Sequence, residues 1–351
     1  MLNGALIGCG FFAQNQLRAW AEAGDAGIVA LCDRDAARLA ATAARFGIAR
    51  TYDDAAEMLA RERPDFVDIA TTVASHVPLV TLAARAGVPV ICQKPFTETL
   101  AEAAGLVETC RRAGVPLMVH ENFRWQAPIR AVRRVLDEGE IGQPFWARIA
   151  FRSAYDVYAG QPYLAEGSRF IIQDLGIHLL DVARFLFGEV TTLAARTQRV
   201  NPRIAGEDVA TMMLGHAAGV TTVVDCSYAS AQERELFPQS LIEIDGARGT
   251  LRLGADYELV VHADGATRRE TVAPDEARWG PAPWHGIQHS VFDIQEHFIA
   301  CLRGGREPET SGADNLRTLA LVEAAYLSAQ RGGAPVDPAA LVAAARDEAG
   351  G

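Results

Sequence analysis

Short apolar runs alternate with amphipathic stretches over the first third of the chain. The apolar runs predict β-strands at Ala5–Cys9, Ile28–Asp33, Phe66–Thr71, Val88–Gln93 and Leu117–His120. The stretches between them predict helices at Phe12–Ala23, Asp35–Phe46, Asp54–Arg61, His76–Ala86 and Glu98–Ala113. Strands that alternate with helices at this spacing indicate βαβ units and a parallel sheet. Because such crossovers are right-handed, the pattern predicts an α/β Rossmann domain with a doubly wound parallel sheet.

After about residue 120 the pattern changes to strands that follow one another. Strands are predicted at Phe145–Ser153, Thr191–Val200, Val209–Leu214, Val220–Tyr228, Ser240–Ile244, Thr250–Leu253 and Glu258–His262. Helices are predicted at Pro128–Glu138, Asp174–Phe187, Ser290–Leu302 and Ala313–Ser328, and a loop at Ala273–Trp284. The alternation of apolar and polar residues within the strands is typical of antiparallel sheets.

The length of the chain suits two domains rather than one core. We expect the Rossmann domain at residues 1–122. We expect an α+β domain with a large, mostly antiparallel open sheet at residues 123–351. The final helices of the chain can pack back on the Rossmann domain.

A glycine-rich turn joins the first predicted strand to the first predicted helix. The segment Gly8-Cys9-Gly10-Phe11-Phe12-Ala13 matches the pattern G-x-G-x-x-A. In this context Gly8 permits a tight turn, Gly10 lets a pyrophosphate approach the backbone, and Ala13 allows close packing of helix on strand. Free N–H groups and the helix dipole favour an anion there. A glycine turn without a ligand is the alternative for this motif alone.

Asp33 ends the second predicted strand, about 20 residues after the glycine turn. An acid at this place accepts a hydrogen bond from the ribose 2′-OH of NAD and repels the 2′-phosphate of NADP. Arg34 can soften that preference, so NADP is not excluded. The alternative role of Asp33 is a helix N-cap for the segment that begins at Asp35.

Lys94 lies at the carboxyl end of a predicted parallel strand, within Cys92-Gln93-Lys94-Pro95-Phe96. Ligands of such sheets bind at that edge, where an ammonium group stabilises a developing alkoxide. Asp174, His178 and Asp181 recur at i, i+4 and i+7, which predicts one face of a helix. A helical Asp–His pair can serve as an oriented general base. The alternatives are a solvated lysine at a strand end and a core histidine that a neighbouring carboxylate satisfies.

Composition narrows the classes of partner. A net charge of −11 argues against nucleic acid, because phosphate binding needs a basic face. No apolar run reaches the length that spans a bilayer, so no membrane partner is expected. The six cysteines contain no CxxC pair and no zinc-ligand spacing, so no metal site is predicted. Buried, reduced thiols in a cytoplasmic protein are expected.

Taken together, these motifs resemble those of the Gfo/Idh/MocA oxidoreductases over nearly the whole chain. The resemblance rests on Gly8-x-Gly10-x-x-Ala13, Asp33, Thr71 to His76, Gln93-Lys94-Pro95, Asn122-Phe123-Arg124 and Asp174-x-Gly176-x-His178-x-x-Asp181. The lysine motif of the family is usually Glu-Lys-Pro. Gln93 therefore replaces a negative charge with an amide that can still hydrogen-bond a ribose or a nicotinamide.

The resemblance implies an NAD-dependent dehydrogenase that oxidises a hydroxyl of a sugar or polyol. It implies that Lys94, Asp174 and His178 are catalytic, and that Asp181 orients its helix. With the glycine turn, the expected cofactor contacts are Gly8, Gly10, Phe11, Phe12, Ala13, Asp33, Arg34, Thr71, Thr72, His76, Gln93, Lys94 and Asn122. The expected substrate contacts are Lys94, Asn122, Arg124, Asp174 and His178, with Arg152, Tyr155, Tyr163, Trp284 and His285 as candidates for reading sugar hydroxyls.

Several alternative functions stay open from the sequence. One is a dehydrogenase of inositol or another aldose. A second is a non-redox glycosidase that uses bound NAD transiently. A third is a non-enzymatic regulator that senses NAD, which the acid–base residues Lys94, Asp174 and His178 argue against. The family resemblance also implies a homodimer or homotetramer formed through the C-terminal sheet.

Overall fold

The computed structural model describes residues 1–276, 280 and 282–350, which form two compact units. The first unit comprises Met1–Asn122, Gln288–Leu316 and the chain from Val342 onward. The second unit comprises Phe123–Ile287 and Arg317–Leu341. Part of the predicted loop at Ala273–Trp284 lies outside the described residues, at 277–279 and 281. The domain boundary after Asn122 stays a prediction.

The first unit contains a six-stranded parallel sheet. Its strands are β1 (Leu2–Ile7), β2 (Ala26–Cys32), β3 (Arg50–Tyr52), β4 (Phe66–Ile69), β5 (Val90–Gln93) and β6 (Leu117–His120). Their order is β3-β2-β1-β4-β5-β6, and each neighbouring pair is parallel. The prediction of a doubly wound Rossmann sheet is therefore confirmed. The order reverses between β1 and β4, where the carboxyl ends of strands open a crevice for ligands.

The helices between these strands differ in how they begin. They are α1 (Ala13–Glu22), α2 (Ala36–Phe46), α3 (Ala55–Glu62), α4 (His76–Arg85) and α5 (Leu100–Ala113). The side chains of Asp35, Asp54 and Thr99 cap α2, α3 and α5. By contrast, α1 begins after Phe12 with no side-chain cap. The first N–H groups of α1 are therefore not taken up by a capping side chain.

The second unit contains an eight-stranded sheet with helices α6 (Ala127–Asp137) and α7 (Ile177–Phe187). Its strands are β7 (Pro144–Arg152), β8 (Val190–Gln198), β9 (Val209–His216), β10 (Thr221–Ser227), β11 (Leu241–Gly246), β12 (Gly249–Leu253), β13 (Glu258–Ala263) and β14 (Ala266–Thr271). The order is β14-β13-β12-β11-β7-β10-β9-β8, and β7 and β10 are parallel while the other neighbours are antiparallel. The predicted mostly antiparallel sheet is confirmed.

One face of this sheet forms the core of the second unit. The side chains of Ile149, Met212, Val224 and Ile242 are fully buried in one cluster with Leu180 of α7. Three further helices complete the chain, α8 (His285–Gly304), α9 (Gly312–Gln330) and α10 (Pro338–Gly350). None of the helices in the described residues has the length and apolarity needed to cross a membrane. All six cysteines are buried and free of disulfides, as expected.

The helix predicted from Asp174 begins differently from the expectation. Residues Ile172–Gly176 form a π-helix, and the α-helix α7 starts only at Ile177. The prediction of a continuous α-helix from Asp174 to Phe187 is therefore wrong in its first turn. A distant carboxylate binds the N–H of Ile172 at the start of this turn, and a contact over such a sequence distance leaves no local signal that would predict the turn. Single π turns inside helices are frequent at functional sites.

Asp68 is a buried carboxyl group in β4 of the first unit. It accepts hydrogen bonds from Gln16 Nε2 (2.9 Å) and from Trp20 Nε1 (2.7 Å). Burial raises the pKa of Asp68 to about 7, although the Trp20 hydrogen bond opposes the shift. The folded state therefore favours the protonated acid. The stability that this preference contributes is fully present below about pH 4 and is lost as the pH rises through about 7.

We expect Asp68→Asn to become progressively more stable, relative to the wild type, as the pH rises from 5 to 8. The amide cannot ionise, so it avoids the cost of a buried carboxylate, which reaches about 4 kcal/mol at 1.36 kcal/mol for each unit of pKa. The difference in Tm between variant and wild type at the two pH values measures the effect. Asp53→Asn, at an exposed carboxylate, should show no such trend. An Asp68→Asn difference that is independent of pH would contradict the assignment.

Candidate active site

The glycine turn after β1 is shaped to admit a ligand at one position and to exclude side chains at another. Gly8 has φ +96°, and a Cβ there would lie 2.7 Å from the carbonyl oxygen of Ala70. A Cβ at Gly10 would meet no atom within 4 Å, so the space above Gly10 is open. Ala13 is fully buried at the start of α1. An open backbone beside an uncapped helix N-terminus fits a dinucleotide pyrophosphate.

Asp33 lies directly after β2 and is tied to the glycine turn. Its Oδ2 accepts a hydrogen bond from the N–H of Cys9 (2.7 Å), and its Oδ1 accepts one from the N–H of Asp35 (2.9 Å). The N-cap of α2 is Asp35 and not Asp33. A carboxylate has about four acceptor positions, so Asp33 retains capacity for a ribose hydroxyl. Arg34 beside it is exposed.

His76 connects the loops that follow β4 and β5. Its Nδ1 lies 3.1 Å from the carbonyl oxygen of Pro95, and its Nε2 lies 3.1 Å from that of Thr71. Burial lowers the pKa of His76, while the hydrogen bonds to Thr71 and Pro95 act in the opposite direction. The imidazole therefore fixes the loop that carries Lys94. Thr72, in the loop that follows β4, is exposed.

Lys94 follows β5 and is half-buried. Its N–H donates to Gln93 Oε1 (3.1 Å), while Gln93 Nε2 is buried with no hydrogen-bond partner among the described residues. The Lys94–Pro95 peptide bond is cis. Of the 33 lysine and arginine residues in the chain, Lys94 is the only lysine. The sequence motifs do not show that the chain has a single lysine. This fact distinguishes Lys94 from every other side chain that carries a permanent positive charge, since all of those are arginine.

The carboxyl end of β6 holds another part of the predicted site. Asn122 is 3% exposed, and its Nδ2 donates to Ser290 Oγ at 2.7 Å. The ring of Phe12 meets His120 edge to face, with 5.9 Å between centroids. Phe11 is 58% exposed beside it. Residues from the glycine turn and from the end of β6 therefore lie at the same edge of the parallel sheet.

In the second unit, α7 packs against the short 3-10 helix Phe123–Trp125. The imidazole of His178 stacks on the ring of Phe123, with centroids 4.1 Å apart. One turn later, Asp181 accepts two hydrogen bonds from Arg124, from Nε at 2.7 Å and from Nη2 at 2.6 Å. Arg124 was expected near substrate and cofactor, and its guanidinium is committed to this buried ion pair. Asp181 therefore holds α7, and with it His178, in place.

Asp174 is half-buried in the π turn and influences two tyrosines. Partial burial and then the negative charge of Asp174 raise the pKa of Tyr163 to about 12. Burial and then the same charge raise the pKa of Tyr228. Both phenols therefore remain neutral hydrogen-bonding groups beside Asp174 near neutral pH. Tyr228 stacks on Phe170 at the start of the turn (5.8 Å) and was not singled out from the sequence.

An aromatic group lies on another part of the second unit. The ring of Tyr155 stacks on Phe237 (4.1 Å), and Trp284 meets Phe237 edge to face (5.0 Å). The sequence pointed to Tyr155 and Trp284 but not to Phe237, because aromatic residues this far apart show no local pattern. His285 starts α8 and meets Tyr257 edge to face (6.0 Å).

Arg152 is separate from that aromatic group and belongs to a charged cluster on the sheet. Its Nη1 lies 3.1 Å from Asp225 Oδ1, and Arg148 Nε lies 2.8 Å from Asp225 Oδ2. These pairs stabilise neighbouring strands. Among the described residues, no group of three or more His, Cys, Asp and Glu side chains is placed to bind a metal ion.

The glycine turn, Asp33 and the doubly wound sheet are typical of a protein that binds NAD. The chain belongs to the Gfo/Idh/MocA oxidoreductase family. The family model described as an oxidoreductase family with an NAD-binding Rossmann fold matches residues 2–121. The model of the family's C-terminal domain matches residues 129–252.

Individual relatives match nearly the whole chain. D-apiose dehydrogenase of Paraburkholderia graminis is 65% identical over 94% of this chain and 88% of its own length. D-apiose dehydrogenase of Rhizobium rhizogenes is 57% identical over 94% of this chain and 96% of its own length. The crystal structure of an oxidoreductase from Agrobacterium radiobacter, in complex with NAD+, L-tartaric acid and magnesium, superimposes with a TM-score of 0.96 at 56% identity, covering 97% of this chain and 99% of that one.

Proposed function

We propose that this protein oxidises D-apiose with NAD, at the anomeric hydroxyl, to give the lactone. The observation that carries the proposal is the similarity to two D-apiose dehydrogenases, at 65% and 57% identity over 94% of the chain. Four segments of the sequence are similar to that branch of the family, Phe11-Phe12-Ala13-Gln14-Asn15, Gln93-Lys94-Pro95-Phe96, His120-Glu121-Asn122-Phe123-Arg124 and Asp156-Val157-Tyr158.

In the proposed reaction Lys94, Asp174 and His178 act on the reacting hydroxyl. His178 removes the hydroxyl proton, Asp174 orients His178, and Lys94 stabilises the oxygen as negative charge develops on it. When bound, NAD accepts the hydride that leaves the anomeric carbon. The two electrons of the C–H bond thus reduce the cofactor, the proton passes to the base, and the carbon becomes the carbonyl of the lactone.

The choice of lysine at position 94 supports a place beside the reacting oxygen, where the ammonium group stabilises negative charge and can also exchange its own proton. An arginine stays charged at every physiological pH, whereas an ammonium group gives up its proton readily when its surroundings change. Every other Lys or Arg position of this chain is an arginine. A position that only needed positive charge would not require lysine.

The remaining contacts are proposed on the same basis. The cofactor contacts are those of the glycine turn, Asp33, Arg34, Thr71, Thr72, His76, Gln93 and Asn122. For the sugar, the aromatic residues Tyr155 and Trp284 offer apolar faces. Tyr163 is a further candidate, and the negative charge of Asp174 contributes to raising its pKa. Arg152 and His285 complete the candidate substrate contacts. Asn122 and Arg124 are also candidate substrate contacts, and Arg124 in addition fixes the position of α7 through Asp181.

We also propose that the protein is cytoplasmic and assembles as a homodimer or homotetramer through the eight-stranded sheet. Met213, 56% exposed on β9, pairs in register with the half-buried Val223 on β10. Apolar side chains on a sheet face favour association. Light scattering that returns the mass of a monomer at micromolar concentration would contradict the assembly.

A panel of substrates with both cofactors tests the proposed function. We expect reduction of NAD, read at 340 nm, to be fastest with D-apiose and slower with xylose, glucose and inositol. NADP should be used less well, because the carboxylate of Asp33 repels its 2′-phosphate. A faster reduction of NAD with inositol than with D-apiose would indicate that the substrate is a polyol and not D-apiose. Bound NAD without net reduction, together with cleavage of a glycoside, would favour the glycosidase alternative.

A further inference from the structure

Glu207 binds the turn that carries Asp174. Its side chain is 8% exposed, and it belongs to the segment between β8 and β9. The carboxylate accepts hydrogen bonds from the N–H of Phe170 (3.2 and 3.3 Å) and from the N–H of Ile172 (3.2 Å). Its main-chain carbonyl accepts another from the N–H of Ile171 (3.1 Å). One residue thus takes up consecutive donors at the start of the π turn.

Tyr326 of α9 binds the next N–H group of the turn. Its hydroxyl donates to Glu207 Oε1 (2.7 Å) and accepts from the N–H of Gln173 (3.3 Å). Burial and then the charge of Glu207 raise the pKa of Tyr326, so it remains a neutral donor. The guanidinium of Arg169 lies 4.4 Å from the centre of the Tyr326 ring and pairs with Glu323. Tyr326 itself is therefore held in place.

The backbone beside Glu207 is packed too closely to shift. A Cβ at Gly206 would lie 2.8 Å from the carbonyl oxygen of Gly167 and 2.9 Å from Cβ of Phe170. The N–H of Ala205 donates to the carbonyl of Ala165 at 2.9 Å. Residues 205–207 thus form a rigid support under the turn. A rigid support transmits position, because a displacement of either segment breaks several contacts at once.

A charged cap at this place differs from an ordinary helix cap. A buried carboxylate costs far more to desolvate than the hydroxyl of Ser or Thr, and only several charge-assisted hydrogen bonds offset that cost. An ordinary side-chain cap takes up one of the free N–H groups at a helix end. The arrangement here fixes several N–H groups in a row, immediately before Asp174. Precise placement of a carboxylate is what an oriented general base requires.

We propose that Glu207, with Tyr326, is a positioning residue of the reaction, which sets the orientation of Asp174 relative to His178 through the π turn. The inference rests on the proposed function, in which Asp174 orients the base. Glu207 does not touch substrate or cofactor in this proposal. Its effect appears in turnover and in the titration of His178, and not in the affinity for NAD.

The test compares Glu207→Gln and Tyr326→Phe with Glu140→Gln, a matched change at a carboxylate that accepts two hydrogen bonds from Arg268 in the same unit. We expect Glu207→Gln to lower kcat by about 10- to 100-fold, as loss of an orienting contact does, and Tyr326→Phe by less. The Kd for NAD of every variant and the kcat of Glu140→Gln should stay within about twofold of the wild type. Melting temperatures show whether each variant is folded. If Glu207→Gln does not fold, the kcat of Tyr326→Phe tests the proposal instead.

A second readout does not depend on the substrate. NMR of ¹³C-histidine protein, with the His178 signal assigned from His178→Gln, should show a displaced titration midpoint in Glu207→Gln and none in Glu140→Gln. An unchanged midpoint together with unchanged kcat in folded variants would overturn the proposal and leave Glu207 a structural cap. If the wild type turns over no sugar of the panel, the proposed function fails, and the histidine titration still decides whether Glu207 positions Asp174.

Discussion

Replacement of Lys94 by alanine is expected to lower kcat by about 10²- to 10⁴-fold, the usual contribution of a group that transfers a proton or stabilises charge in the transition state. NAD should still bind, because in the proposed function the pyrophosphate and ribose contacts come from the glycine turn and Asp33, where the space above Gly10 is open. Steady-state rates at 340 nm give kcat, and quenching of tryptophan fluorescence gives the Kd for NAD. A kcat within a few-fold of the wild type would exclude the role given to Lys94.

Lys94→Arg is the matched control for that experiment. Arginine keeps the positive charge at the end of β5 but holds its protons at every accessible pH. If Lys94 moves a proton, we expect Lys94→Arg to be nearly as slow as Lys94→Ala. If Lys94→Arg retains most of the activity, the charge alone matters and the proton is moved by other groups. The two variants thus separate electrostatic stabilisation from proton transfer.

The largest loss of stability is expected from Asp181→Ala, at about 3–5 kcal/mol, because it leaves a buried guanidinium without its carboxylate. The side chains of Arg124 and Asp181 are 6% and 0% exposed. Thr318 Oγ1 also donates to Asp181 (3.0 Å) and accepts from Arg184 (2.8 Å), so the change affects a network and not one pair. Urea unfolding measures the free energy.

An exposed pair in the same unit serves as the control. Asp137 also accepts two hydrogen bonds from one arginine, Arg133, but its side chain is 56% exposed. We expect Asp137→Ala to cost less than about 1 kcal/mol, because water screens and replaces the interaction. Similar losses for Asp181→Ala and Asp137→Ala would show that burial of the first pair has no energetic consequence. The double variant Arg124→Met with Asp181→Leu should recover part of the stability.

The sequence does not predict two of the strands, β14 and β3, because a hydrophobic pattern detects only strands with a buried face. β14 (Ala266–Thr271) is an edge strand, and most of its side chains are exposed. Such a strand needs no alternation of apolar residues, since neither face is buried. β3 (Arg50–Tyr52) is three residues long and also lies at an edge. In both cases backbone pairing with a neighbouring strand, and not the side chains, makes the strand.

Some residues of the candidate site could also be predicted from the sequence, whereas their distant partners could not. The glycine turn, Asp33, Lys94 and the Asp174 to Asp181 segment were all recognisable, because each requires particular residue types at short spacing. The partners that fix them were not, since Arg124 lies 57 residues from Asp181 and Glu207 lies 37 residues from Phe170. Contacts across such distances leave no periodicity to read.

The sequence by itself determined the Rossmann sheet, its glycine turn and the acid at the end of β2, because local periodicity and steric needs within a few residues specify all of these. Only the tertiary structure decided that the helix of His178 begins with a π turn and that Arg124 serves Asp181. It also revealed that Glu207 and Tyr326 hold the turn of Asp174. Those features depend on which buried donors and acceptors meet once distant segments pack, and that pairing is settled by the whole unit.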